Sequence, residues 1–210
     1  MTTYHKIQTV FLRDPETNHK TLLHGAWAKP EFGYLQDSPW VFTEKVDGTN
    51  IRLIRDGLEV RGRTDRAQIP DPLRLECAGI LGSPAFQRLG AGMVLYGEGY
   101  GGKIQKAGAT YGPEQRFVLF DVKCGDLWLE REDVQDIGAA LGIDVVPVVG
   151  SGTLHDMVDL VEAGITSTWG DFQAEGVIAR PTTELRNRRG ERVITKLKCR
   201  DFAKEAAHAA

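Results

Sequence analysis

Trp40-Val41-Phe42-Thr43-Glu44-Lys45-Val46-Asp47-Gly48-Thr49-Asn50 runs from a β-prone segment into a turn and places a lysine where the strand ends. An amine two residues before Asp-Gly is positioned for chemistry, because it can attack the α-phosphorus of a nucleoside triphosphate and hold the nucleotide as a phosphoramidate. K-x-D-G alone recurs by chance, and a surface lysine beside a turn is its commoner meaning. The rest of the chain has to supply partners for Lys45.

Outward from this stretch the pattern stays strand-like. Ile51-Arg52-Leu53-Ile54-Arg55 and Leu58-Glu59-Val60-Arg61 flank Asp56-Gly57, a strong hairpin signal. Arg52, Glu59 and Arg61 alternate, which predicts a half-exposed sheet face. Met93-Val94-Leu95-Tyr96 and Phe117-Val118-Leu119-Phe120-Asp121-Val122 read as buried strands, and so do Gly176–Ala179 and Arg192–Leu197. Residues 72–90 suit a loose helix broken at Gly82-Ser83-Pro84. Val134, Ile137 and Leu141 share a helix face that Gly142 terminates. Thr153-x-x-Asp156 forms a capping box ahead of Leu154, Met157, Val158 and Val161, and Gly164 stops that helix. Residues 1–39 are mixed and turn-rich. Strands outnumber helices and hairpin connections prevail, so the expected class is α+β with largely antiparallel sheets flanked by helices.

Composition narrows the function. The chain has 210 residues, a net charge of −3 and 41% hydrophobic residues, enough for a core but not for a uniformly basic surface. Three scattered cysteines without a C-x-x-C indicate neither a zinc site nor a disulfide framework, which suits a reducing cytoplasm. There is no apolar leader at the N-terminus and no apolar run of membrane-spanning length, so no membrane association is expected.

Several further stretches carry chemistry. Gly97-Glu98-Gly99-Tyr100-Gly101-Gly102 matches G-x-G-x-x-G, but the dinucleotide fingerprint needs a helix to open at the glycines, and residues 103–113 are full of breakers. Glu98 reads better as a carboxylate in a glycine-lined space, able to accept hydrogen bonds from ribose hydroxyls. Phe120, before Asp121, offers a face on which a purine can stack. Glu175, just before Gly176-Val177-Ile178, can hold a divalent metal or its water shell. Lys196 and Lys198 share one strand face and can reach one phosphate. Each also has an ordinary meaning: a turn glutamate, a core phenylalanine, a solvated strand-start acid, an edge strand guarded by lysines. Basic residues cluster over Arg180–Arg200 (Arg186, Arg188 and Arg189 among them) and at Arg52, Arg55, Arg61, Arg63 and Arg66, which fits a passing phosphate backbone or salt-bridged sheet faces.

The order of these stretches is more specific than any one of them. It resembles the covalent nucleotidyltransferase superfamily of polynucleotide ligases and mRNA capping enzymes. The resemblance sharpens to the RNA ligase family typified by the type-2 RNA ligase of bacteriophage T4, through Gly102-Lys103-Ile104-Gln105-Lys106 and Leu185-Arg186-Asn187 as well as the stretches around Lys45, Arg63-Thr64, Glu98, Phe120, Glu175 and Lys196-Leu197-Lys198. It spans roughly residues 40–202 and implies an ATP-grasp-like nucleotidyltransferase domain with its pocket between antiparallel sheets.

The resemblance also implies roles. Lys45 forms lysyl-AMP, Glu44 contacts the adenine edge, and Asn50 and Arg63 address the polynucleotide ends and the AMP. Glu98 binds ribose, Phe120 stacks on adenine, Glu175 serves the metal-dependent step, and Lys196 and Lys198 hold the α-phosphate. The implied cofactors are ATP and Mg²⁺ or Mn²⁺. The implied partner is RNA, or an RNA-containing duplex, with 5′-phosphate and 3′-hydroxyl ends. Twelve residues follow Lys198, so the expectation is one adenylyltransferase domain over residues 1–210 without a C-terminal OB-fold or accessory domain, with a protein partner in its place. Val46-Asp47 follows the wider superfamily, which keeps open a minimal ATP-dependent DNA ligase, and a capping-type guanylyltransferase uses the same chemistry with GTP. A non-catalytic nucleotide- or RNA-binding module is the reading from another class, and the intact set Lys45, Glu98, Glu175, Lys196 and Lys198 argues against it.

Overall fold

The computed structural model describes residues 3–206, with backbone alone from residue 203 onward. Its strands are β1 (Gln8–Thr9), β2 (Phe11–Arg13), β3 (Leu22–Trp27), β4 (Trp40–Glu44), β5 (Thr49–Ile54), β6 (Glu59–Gly62), β7 (Met93–Tyr100), β8 (Arg116–Cys124), β9 (Leu127–Trp128), β10 (Val148–Gly152), β11 (Gly176–Pro181) and β12 (Thr195–Lys198). Its helices are α1 (Pro30–Tyr34), α2 (Asp71–Gly82), α3 (Pro84–Gln87), α4 (Arg131–Leu141), α5 (Leu154–Ala163) and α6 (Cys199–Ala206). They fall into two compact units, one of Val46–Val146 with the described residues up to His5, the other of Lys6–Lys45 and the chain from Pro147.

The Val46–Val146 unit is built on the antiparallel sheet β6-β5-β7-β8-β9. Its core joins Ile51 and Leu53 of β5, Leu95 of β7 and Leu119 of β8 to Leu73 and Cys77 of α2, Phe86 of α3 and Val134 of α4. Each such apolar side chain contributes about 1.5–3 kcal/mol when fully buried, which is why helices with modest intrinsic drive lie firmly on this sheet. Ser83 ends α2 and caps α3 by accepting a hydrogen bond from the Phe86 amide, so the expected break falls where Gly82-Ser83-Pro84 put it. Gly142 closes α4 in the left-handed conformation, with φ +66°.

Three details depart from the sequence reading in this unit. The β5–β6 hairpin turns over residues 55–58, with positive φ at Gly57 and at Leu58, rather than tightly on Asp56-Gly57. Arg52 is 1% exposed instead of lying on a solvated face. Its guanidinium donates to the Gly62 carbonyl at 2.9 Å and to Asp65 at 2.7 Å, and this pairing allows its burial. β7 continues past the expected Met93–Tyr96 run and takes in Glu98, and β8 continues past Val122 to Cys124. As expected, no helix opens at the glycines, and the chain turns out of β7 after Tyr100.

The other unit carries the sheet β1-β12-β11-β4-β10, antiparallel except for the parallel pair β1 and β12, and the two-stranded β2-β3. Its core packs Trp40 and Phe42 of β4, Val177 and Ala179 of β11 and Leu197 of β12 against Leu154, Met157 and Val161 of α5. The Thr153–Asp156 capping box forms as the sequence predicts. Arg192–Ile194 stay outside β12, and Arg192 is buried on Glu184 at 2.6 Å, so Arg192 and the equally buried Arg180 leave the predicted basic surface. No helix among the described residues is long and apolar enough to cross a membrane.

Candidate active site

Sheet register assembles the lysines. On β11, Val177 lies opposite Glu44 of β4, and Gly176 lies opposite Lys198 of β12. One step past Glu44, the Lys45 amide donates to the Gly176 carbonyl at 2.9 Å, and the Glu175 carbonyl accepts from the Cys199 amide at 3.0 Å. Glu175 is thereby fixed between the ends of β4 and β12. Gly176 permits this, because a Cβ there would stand 2.1 Å from the Leu197 carbonyl oxygen.

The side chains converge accordingly. Lys45 Nζ lies 2.5 Å from Glu175 Oε2, and Lys198 Nζ lies 2.5 Å from Glu175 Oε1. Burial pushes the Glu175 carboxyl up, but Lys45 and Lys198 outweigh it, and the group is held below the usual carboxylate range. Lys196, on the same face of β12 as Lys198, is lowered to about 8 by burial, then by Lys198 and Lys45. Three ammonium groups around one carboxylate form a site with surplus positive charge. That suits an anion carrying several charges, such as a polyphosphate.

Glu44 has a different environment from the one its proposed role suggests. It is 2% exposed, and its carboxylate accepts from Ser167 Oγ at 2.6 Å and from the Thr168 amide and hydroxyl at 2.9 Å each. These donors sit in a small hairpin closed by Ser167 N to Phe172 O at 2.8 Å and Ala174 N to Ile165 O at 2.8 Å, immediately ahead of Glu175. Glu44 thus ties this hairpin to β4 beside the lysine. The sequence offered no signal for it, since the partners lie more than 120 residues apart.

In the Val46–Val146 unit, Asn50 and Glu98 are direct cross-strand partners on β5 and β7 and so share a face. Gly48 packs against them: a Cβ on it would stand 2.2 Å from the Gly99 carbonyl oxygen and 2.8 Å from Glu98 Cγ. The Asn50 Oδ1 is buried and has no hydrogen-bond partner among the described residues, an acceptor whose burial is explained when a ligand donor reaches it. Phe120 lies at a β-bulge, because Tyr96 pairs with Asp121 while Gly97 already pairs with Leu119. A bulge re-aims a side chain, and Phe120 is half-buried where its strand neighbours Leu119 and Asp121 are fully buried. Tyr4 packs edge-on to Phe120 at 5.0 Å and donates to Asp121 at 2.5 Å, a support that the turn-rich N-terminal segment did not advertise. Arg63 is exposed just beyond β6.

Among the described residues no group of three or more His, Cys, Asp or Glu side chains converges as a ready-made metal cage. Glu175 is the carboxylate at the lysine cluster. The residues fit a divalent ion that takes one carboxylate from the protein and its other ligands from phosphate oxygens and water, the habit of Mg²⁺. A cavity of about 550 Å³ lined by Leu75, Glu76, Lys103, Gln115 and Arg116 contains none of the predicted site residues.

Lys45 past the end of β4 and Lys198 on β12, two strands away, meet on the Glu175 carboxylate just ahead of β11, with Lys196 on the same strand as Lys198. The RNA ligase family model matches residues 38–198, and the chain belongs to that family. No curated protein matches the chain. Among solved structures it is similar to Naegleria gruberi RNA ligase with PPi, with a TM-score of 0.71 and 17% identity over 99% of this chain and 58% of that one. A point mutant of the same ligase, in its apo form, gives a TM-score of 0.66 and 18% identity over 85% of this chain and 54% of that one. The fold is therefore the nucleotidyltransferase fold of RNA ligases, and the chain spans less than three-fifths of the length of these solved chains. The finer likeness to the T4 type-2 branch rests on sequence motifs alone.

Proposed function

We propose that this chain catalyses nucleotidyl transfer as an ATP-dependent RNA ligase. The observation that carries the reading is the Lys45–Glu175–Lys198 cluster with Lys196 beside it. Lys45 Nζ gives up a proton to solvent and, as the neutral amine, attacks the α-phosphorus of ATP. The new P–N bond forms as the α–β phosphoanhydride breaks and pyrophosphate departs. Lys196 and Lys198 offset charge building on the phosphate oxygens. An oxygen of a 5′-phosphate end then attacks the same phosphorus and the P–N bond breaks. Finally a 3′-hydroxyl attacks the activated 5′-phosphate, AMP leaves, and a phosphodiester is made.

The remaining residues take binding roles in this proposal. Glu98 accepts from the ribose hydroxyls, Phe120 stacks on adenine, and Asn50 and Arg63 address AMP and the polynucleotide ends. Glu44 contacts the adenine edge, with its carboxylate held in place by the Ser167 and Thr168 donors. Glu175 also offers the carboxylate for Mg²⁺ or Mn²⁺, which when bound neutralises phosphate charge. Support for the nucleotide and the ion comes from the Naegleria gruberi relative, a lysine-to-alanine mutant of which was solved with ATP and Mn. The test is labelling with α-³²P-ATP against α-³²P-GTP, followed by sealing of nicked duplexes whose 3′-hydroxyl strand ends in ribose or in deoxyribose. The reading expects ATP and ribose to be preferred. Labelling by GTP alone supports a guanylyltransferase, and indifference to the sugar supports a DNA ligase.

A further inference from the structure

The Gly102-Lys103-Ile104-Gln105-Lys106 stretch has no role in the chemistry above, yet it sits on the backbone that follows the nucleophile. Gln105 Nε2 donates to the Gly48 carbonyl at 2.8 Å, and the Tyr111 hydroxyl accepts from the Asp47 amide at 3.1 Å. The loop making both contacts is well braced. Gly101 and Gly102 adopt positive φ, +85° and +54°, which turns the chain sharply out of β7. The Gly102 amide donates to the Gly112 carbonyl at 2.9 Å and closes the loop. Ile104 packs on the apolar core next to α2, and a 3₁₀ turn over Gly108–Tyr111 swings Tyr111 onto Tyr100 at 5.8 Å. Gly108 fits under this loop only because it lacks a Cβ, which would stand 2.8 Å from the Gly102 carbonyl oxygen.

We propose that Gln105 and Tyr111 are positioning residues for the turn that follows Lys45: they grip the Asp47 amide and the Gly48 carbonyl, and so hold the chain that leaves the nucleophile and leads to Asn50. Gly48 sits too close to the Gly99 carbonyl and to Glu98 to carry a side chain that could hold the turn. Its carbonyl and the neighbouring amide are the handles that the loop takes. The glycines of the motif make the loop, isoleucine anchors it and glutamine makes the contact.

This inference rests on the proposed self-adenylylation of Lys45, and two independent readouts separate them. Gln105→Glu keeps size but puts a carboxylate oxygen against the Gly48 carbonyl. Tyr111→Phe keeps the ring on Tyr100 but removes the acceptor for the Asp47 amide. Each is expected to slow adduct formation at saturating ATP by about 2- to 12-fold, the net worth of one hydrogen bond, with the ATP concentration for half-saturation unchanged. Gln105→Glu should be at least as slow as Gln105→Ala, which a merely space-filling glutamine would not show. Amide hydrogen exchange supplies the second readout: peptides covering Asp47–Asn50 should exchange faster in both variants while those from α2 and α4 do not. Wild-type exchange in Asp47–Asn50 overturns the proposal, and so does a wild-type adduct rate in Gln105→Glu. Absence of adduct in the unsubstituted protein counts against the ligase reading instead, and the exchange result then decides this one.

Discussion

Replacing Glu175 by glutamine removes the carboxylate charge that Lys45 and Lys198 share. Each ammonium lies 2.5 Å from a Glu175 oxygen. Without the carboxylate, two cations roughly 5 Å apart repel by about 3 kcal/mol at an effective dielectric of about 20. The side chains keep 20%, 13% and 15% exposure, so they can relax partly into water. The expected loss is about 1–3 kcal/mol, below the full cost of a broken buried pair, or about 2–12 °C in melting temperature for a chain of this size. The pH dependence has a definite sign. Because the folded-state pKa of Glu175 is depressed, its stabilisation is present at neutral pH and is lost as pH falls through that pKa. Thermal melts of wild type and Glu175→Gln should therefore differ at pH 7 and converge on acidification. Equal melting at pH 7, or a gap that stays constant to low pH, refutes the reasoning.

Other variants probe the remaining contacts. Phe120→Ala should raise the ATP requirement about five- to 150-fold, the worth of one aromatic–base stack of roughly 1–3 kcal/mol. An unchanged ATP titration in the folded variant would return Phe120 to plain packing against Tyr4. Lys196, lowered to about 8, is charged at pH 7 and loses its proton as pH rises past that value. Calorimetric affinity for a non-hydrolysable ATP analogue should therefore decline above pH 8 in the wild type and hold to higher pH in Lys196→Arg, since arginine stays protonated; parallel profiles would exclude a phosphate contact. Ser167→Ala strips one donor from the buried Glu44 carboxylate and should cost about 1–3 kcal/mol in urea denaturation. A neutral result would mean that water replaces the hydroxyl.

The sequence made the lysine cluster legible because its members sit on or beside short strands. Lys45 and Glu175 flank short β-prone runs and Lys196 and Lys198 lie in another, and once those runs pair antiparallel the register brings them together. The capping box at Thr153 and the helix stop at Gly142 were readable because caps are local chemistry. What could not be read depends on distant partners. Alternation put Arg52 in solvent, whereas a carbonyl and Asp65 across a turn hold it inside. Nothing beside Glu44 in the sequence announces Ser167 and Thr168, from which its carboxylate accepts hydrogen bonds. The bulge that distinguishes Phe120 from its neighbours arises from a one-residue mismatch between β7 and β8, which no periodicity in either strand encodes. The parallel pairing of β1 with β12 joins segments from opposite ends of the chain.

The central claim is that Lys45 is the nucleophile. Intact-protein mass spectrometry after incubation with ATP and Mg²⁺ tests it most directly, followed by peptide mapping and by the same measurement on Lys45→Ala. The account predicts a mass gain of one AMP, mapped to Lys45, labile to acid as a phosphoramidate, and absent from a folded Lys45→Ala protein. An AMP adduct of undiminished yield in Lys45→Ala, or one mapped to another residue, would contradict it.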